Sequence, residues 1–102
     1  MRISADEVGI HFRGSGSRDI VIHWGEIASV DADRCDSTDG STYLEIYLNH
    51  VSGVDFRFGD DHNEYAEVML AMEKHLRGFS RNHAEAAGAG DFRVVWQRGE
   101  TA

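Results

Sequence analysis

Hydrophobic and polar residues alternate along much of this chain, then change period once, and that change separates strands from a helix. Val8, Ile10 and Phe12 alternate with Gly9, His11 and Arg13, while Ile20, Ile22 and Trp24 alternate with Val21 and His23. A period of two is what a strand with one buried face requires. For both apolar sets to face one core, the loop between them must hold an odd number of residues, because a one-residue slip turns a whole set outward. A loop over 14–18 pairs Phe12 with Ile20, Ile10 with Ile22 and Val8 with Trp24.

Leu44, Ile46 and Leu48 precede the turn-like His50-Val51-Ser52-Gly53, and Val54, Phe56 and Phe58 follow it, which predicts a second hairpin. Pairing Leu48 with Val54 sets Ile46 opposite Phe56, Leu44 opposite Phe58, and Glu45 across from Arg57 on the outer face, where opposite charges favour pairing. Between the hairpins, Gly25-Glu26-Ile27 reads as a bend. Ala28, Val30 and Ala32 read as a weaker strand running into Asp33-Arg34-Cys35-Asp36, followed by a polar loop over 36–41.

From Asn63 to Arg77 the period becomes helical: Tyr65, Val68, Met69, Met72 and Leu76 form one apolar stripe. Asp61 followed by Glu64 resembles a capping box, and Lys74, His75 and Arg77 before Gly78 suit the helix close. Residues 80–91 contain Ala86-Ala87-Gly88-Ala89-Gly90 and read as a flexible connection to a final strand at 92–98, where Phe92, Val94 and Trp96 alternate with Arg93, Val95 and Gln97. The expected fold is a single α+β domain over 1–102: a bent antiparallel sheet or partly open β-barrel of about six strands with one long amphipathic helix.

Sequential hairpins followed by such a helix, with the run Trp24-x-Glu26-Ile27-x-x-Val30 where a strand ends and a bend begins, resemble the bacterial pleckstrin-homology-like domains. The resemblance spans roughly Glu7 to Leu76 and implies a scaffold used for protein or peptide contacts, with no catalytic residues to carry over. Phosphoinositide-binding members of that superfamily use Lys and Arg in the early loops. Here Gly14-Ser15-Gly16-Ser17 is flanked only by Arg13 and Arg18, which argues against that ligand.

Length and charge narrow the picture further. A chain of 102 residues, 41% hydrophobic and 27% charged, suits one folded core. A net charge of -8 repels phosphate backbones and anionic lipid, so neither nucleic acid nor a membrane surface is an expected partner. No apolar run is long enough to span a bilayer and the first residues lack a signal-peptide core, so a cytoplasmic location is expected. Cys35 is the single cysteine, which excludes an intrachain disulfide.

Several groupings of side chains bear on chemistry. His11 and His23 fall on one outer face as diagonal neighbours, a weak metal candidate with no third ligand specified. The stretch from Asp31 to Asp36 with Asp39 alternates carboxylates like a calcium loop, but Cys35, Asp36 and Thr42 stand where a ligand, a Gly and a Glu are needed. Asp60, Asp61, His62 and Glu64 offer acid-base groups that helix capping also explains, and Cys35 has only His50 and His62 as distant partners. No complete catalytic set emerges, and no cofactor is expected.

Tyr43, Glu45 and Tyr47 lie on the face opposite Leu44, Ile46 and Leu48, beside Arg57. Exposed tyrosines near charges suit a protein contact. The expected function is therefore a non-enzymatic binding module holding a protein partner, or a second copy through a sheet edge, with Tyr43, Glu45, Tyr47 and Arg57 as the contact residues. The alternatives are an immunity-type acidic inhibitor of a basic toxin, and a small enzyme with a His/Asp site drawn from His11, His23 and Asp60.

Overall fold

The computed structural model describes residues 2–14, 19–88 and 93–99. Within them seven strands and two α-helices follow in the order β1 (Arg2–Ala5), β2 (Gly9–Arg13), β3 (Ile20–His23), β4 (Ile27–Asp36), β5 (Thr42–His50), β6 (Asp55–Gly59), α1 (Tyr65–His75), α2 (Arg81–Gly88) and β7 (Arg93–Gln97). The class is α+β, as expected, but in place of one bent sheet or partly open barrel of about six strands, the seven strands form two open antiparallel sheets: β1-β2-β3 and β6-β5-β4-β7. No described helix is long and apolar enough to cross a membrane.

The first sheet keeps the predicted register, with Phe12 opposite Ile20 and Ile10 opposite Ile22; the loop residues 15–18 lie outside the described residues. Val8 departs from expectation: it precedes β2 and is half exposed. The cause is Asp6, whose Oδ1 accepts the N–H groups of Val8 and Gly9 and turns the chain there. A further strand, β1, pairs with β2 and buries Ile3. Gly9 sits where β2 and β3 approach so closely that a Cβ would overlap the carbonyl of Ile22.

A 3-10 turn over Trp24–Glu26 carries the chain from β3 into β4 of the second sheet. Trp24 is buried, donates its indole N–H to the Asp6 carbonyl at 2.8 Å and stacks on His75 at 4.8 Å; Ile27 and Val30 enter the core directly after the turn. The predicted bend is thus a junction between sheets.

The second hairpin forms, but two residues out of the expected register: Leu48 faces Phe56, Ile46 faces Phe58, and Tyr47, not Glu45, faces Arg57. Gly53 takes φ +95, and the His50 N–H bonds the Val54 carbonyl at 2.8 Å, closing a three-residue loop of Val51-Ser52-Gly53 where the pairing of Leu48 with Val54 would leave five residues. A shift of two preserves which face each side chain takes.

The apolar stripe of α1 is buried as predicted, from Tyr65 through Met72 to Leu76. The capping box is not made: Glu64 is the N-cap residue and no side chain caps the helix. Gly78 takes φ +88 just past the C-terminus, the left-handed conformation that ends helices. Residues 81–88, expected within a flexible connection, instead form α2, so the fold has a second helix beside an α1 of 11 residues. The Ser80 hydroxyl accepts the His83 N–H at 3.2 Å at its start, and Ala84 is fully buried in the shared core.

β7 joins β4 antiparallel, so the last strand extends the second sheet. Phe92 lies outside the described residues. The expected alternation breaks at a bulge between the pairs Trp96–Val30 and Val94–Asp31, which buries Val95 beside Trp96 and turns Val94 outward. The Trp96 indole bonds the Arg77 carbonyl at 2.8 Å, tying β7 to the end of α1.

Candidate functional site

Strict alternation on β4, β5 and β6 sends Val30, Ala32, Leu44, Ile46, Leu48 and Phe58 into the core with the buried residues of α1 and α2. The same period places Ser29, Asp31, Asp33 and Cys35 of β4, Tyr43, Glu45, Tyr47 and Asn49 of β5, and Asp55 and Arg57 of β6 on the other face. All four predicted contact residues, Tyr43, Glu45, Tyr47 and Arg57, therefore share one surface.

Glu45 is its hub. Its Oε2 accepts the Cys35 thiol at 3.1 Å and the Tyr43 hydroxyl at 3.4 Å, and its Oε1 lies 3.9 Å from the Arg57 Nε. The Arg57 guanidinium lies over the Tyr47 ring, 5.4 Å from its centroid. Glu45 is thus within reach of its expected partner diagonally, although the register shift puts Tyr47 directly opposite Arg57. Gly59, opposite Glu45, leaves room for the Tyr43 ring, which a Cβ there would press at 3.1 Å.

Burial and the Glu45 and Asp33 carboxylates push the Cys35 thiol up from its ordinary value. A thiol so placed is held protonated, the reverse of what a nucleophilic cysteine needs. Burial and the same glutamate push Tyr47 up to about 12, and Glu45 with burial also raises Tyr43. Both phenols therefore stay neutral donors at ordinary pH.

Toward the centre of the sheet, Asn49 donates to Asp31 at 2.8 Å and to Ser29 at 3.0 Å. Asp31 is the buried charged residue of the described chain, and its Oδ1 has no hydrogen-bond partner. A buried, half-satisfied carboxylate costs stability. At the other end, Tyr43, Glu45, Arg57, Asp61 and His62 line a groove of about 450 Å³.

The other candidates separate. His11 and His23 do lie diagonally on the first sheet, but His11 Nε2 is held by Asp6 at 3.0 Å. Asp60 Oδ1 accepts the Leu44 N–H at 3.0 Å, and Asp39 accepts from Ser41 in the loop after β4. Asp31 and Asp33 lie within β4 and not in a loop. Among the described residues no group of three or more His, Cys, Asp or Glu side chains is placed to hold a metal ion. Sequence reasoning missed Asp31, Asp33, Cys35 and Asn49 as neighbours of the predicted four, although their parity on β4 and β5 carries that information.

Comparison with protein-family models, curated proteins and solved structures finds no match.

Proposed function

We propose that this protein is a non-enzymatic interaction module that holds a basic protein partner on the outer face of β4, β5 and β6. The observation that carries the reading is the composition of that face: Asp33, Glu45 and Asp55, with Asp31 buried beneath them, against the single cation Arg57, and Tyr43 and Tyr47 half buried between them. Tyrosines fixed by neighbours lose little entropy on contact, and carboxylates steer a basic partner and set its register. The raised thiol of Cys35 and the held positions of His11 and Asp60 give no poised nucleophile or base. A pleckstrin-homology-like scaffold is part of this proposal, supported by two antiparallel sheets joined at Trp24–Glu26 and by α1 packed in the common core.

A basic toxin or nuclease is a partner of the required chemistry, which makes an immunity-type inhibitor the second reading; the charge of -8 favours it. The experiment is site-specific photo-crosslinking in producing cells, with a photoreactive residue at Tyr47 and, as control, at the exposed Val51 of the β5–β6 turn. One basic protein captured at 47 and not at 51, bound at least roughly tenfold more weakly by Tyr47→Ala, is the expected result. Equal capture at both positions, or affinity indifferent to Tyr47→Ala, sinks the proposal.

A further inference from the structure

A second surface, built from other elements, carries its own chemistry. A groove of about 600 Å³ runs between α1 and the turn after β1, with Ala5, Leu70 and Ala71 as its apolar lining. A lone exposed leucine on a helix is ordinary. Leu70 differs because it lies in a concavity, at 67% exposure, on the side of α1 opposite the buried Val68, Met69 and Met72. An apolar lining flanked by charges is the anatomy of a docking site.

The rim sets the partner's charge. Asp6 and Glu7 stand on one wall, Glu67 and Glu73 on the other, against one cation, Lys74. Asp6 and Glu73 also serve the fold: Asp6 holds its turn and His11, and Glu73 accepts the Arg81 N–H at 2.9 Å. Their charges still contribute to the rim. Glu67, Leu70 and Glu73 follow one another at intervals of three along α1, so their backbone positions are about 4.5 Å apart along the axis and the leucine stands between the two glutamates.

We infer that this groove binds a basic amphipathic helix of a partner protein, one carrying an apolar side chain with Lys or Arg three or four residues to either side. The apolar residue packs on Leu70 and Ala71, and the flanking cations meet Glu67 and Glu73, with Glu7 closing from the β1 side. A second copy of this chain, at a net charge of -8, lacks the complementary charge. The site is independent of the outer sheet face, and its partner segment is defined by spacing where the sheet face is defined by tyrosines.

The test uses a labelled helical peptide of repeating Leu and Lys with that spacing, its Lys-to-Glu counterpart, and the full chain, followed by fluorescence anisotropy at low and high salt. The expected result is binding of the basic peptide alone, weakened roughly tenfold to a hundredfold by Leu70→Ser. Glu7→Lys combined with Glu67→Lys weakens it by at least about tenfold and flattens its salt dependence, while Glu45→Lys on the sheet face leaves it unchanged. Equal affinity of Leu70→Ser, or of the acidic peptide, overturns the inference. So does loss of binding in Glu45→Lys, which puts the peptide on the sheet, or a dimer of the free protein abolished by Leu70→Ser, which makes a second copy the occupant.

Discussion

The Cys35 thiol donates to the Glu45 carboxylate across β4 and β5 at 3.1 Å, a contact that holds the sulfur protonated while ordering the glutamate. Alkylation of Cys35 should therefore reach half its maximal rate at a pH above that of an ordinary cysteine, because thiolate next to carboxylate is disfavoured. Glu45→Gln should move the profile down. A wild-type profile at or below the ordinary value contradicts the arrangement.

Asp31 is buried with one oxygen unpaired, a feature that costs stability and lies under the proposed contact face. Asp31→Asn keeps an acceptor for Asn49 and removes the buried charge. Thermal unfolding should show a melting temperature unchanged or raised, by up to roughly 1–3 kcal/mol of stability, together with weaker partner binding. A large loss of stability would show that the carboxylate is a structural requirement.

Gly9 allows β2 and β3 to meet, and Gly9→Ala must displace the Ile22 backbone. Denaturant unfolding should register a loss of about 1–3 kcal/mol or more, as for an overpacked core site. Stability within experimental error of the wild type would mean that the two strands separate more easily than this pairing implies.

The Tyr65 hydroxyl donates to Glu85 Oε2 at 2.8 Å, joining α1 to α2, and the Arg81 Nε–H donates to the same oxygen at 2.9 Å. Burial alone would raise the Glu85 carboxyl, but the bonds from Arg81 and Tyr65 outweigh it and hold the carboxyl below the usual 4.5. The sign follows: the stabilisation is complete above the unfolded value and is lost as pH falls through the lower folded one. Glu85→Gln should lower the melting temperature at neutral pH by a small amount, about 1 kcal/mol or less for so exposed a side chain. The difference from wild type should vanish in acid; a difference that grows there contradicts the linkage.

β2 to β7 and α1 were legible because alternation and helical spacing are written in the side chains themselves, and the outer-face set of Tyr43, Glu45, Tyr47 and Arg57 followed from parity alone; β1, with Ile3 as its one fully buried side chain, carries too short a pattern to show. Register was not, because a shift of two leaves parity intact, and the loop is set by the left-handed φ of Gly53 together with the backbone bonds between His50 and Val54 and between Gly53 and His50. α2 escaped because Ala84 and its small neighbours show little hydrophobic contrast, although Ser80 marks its start. The division into two sheets depends on the turn at Trp24, whose burial and bond to Asp6 are long-range facts.

The most direct measurement of the central claim is hydrogen–deuterium exchange of the free protein against its complex with the partner captured at Tyr47. Protection of β4–β6 peptides spanning Asp31, Glu45, Tyr47 and Arg57, lost in Glu45→Lys, is the predicted result. Protection confined to β1, β2 and β3, or unchanged by Glu45→Lys, contradicts it.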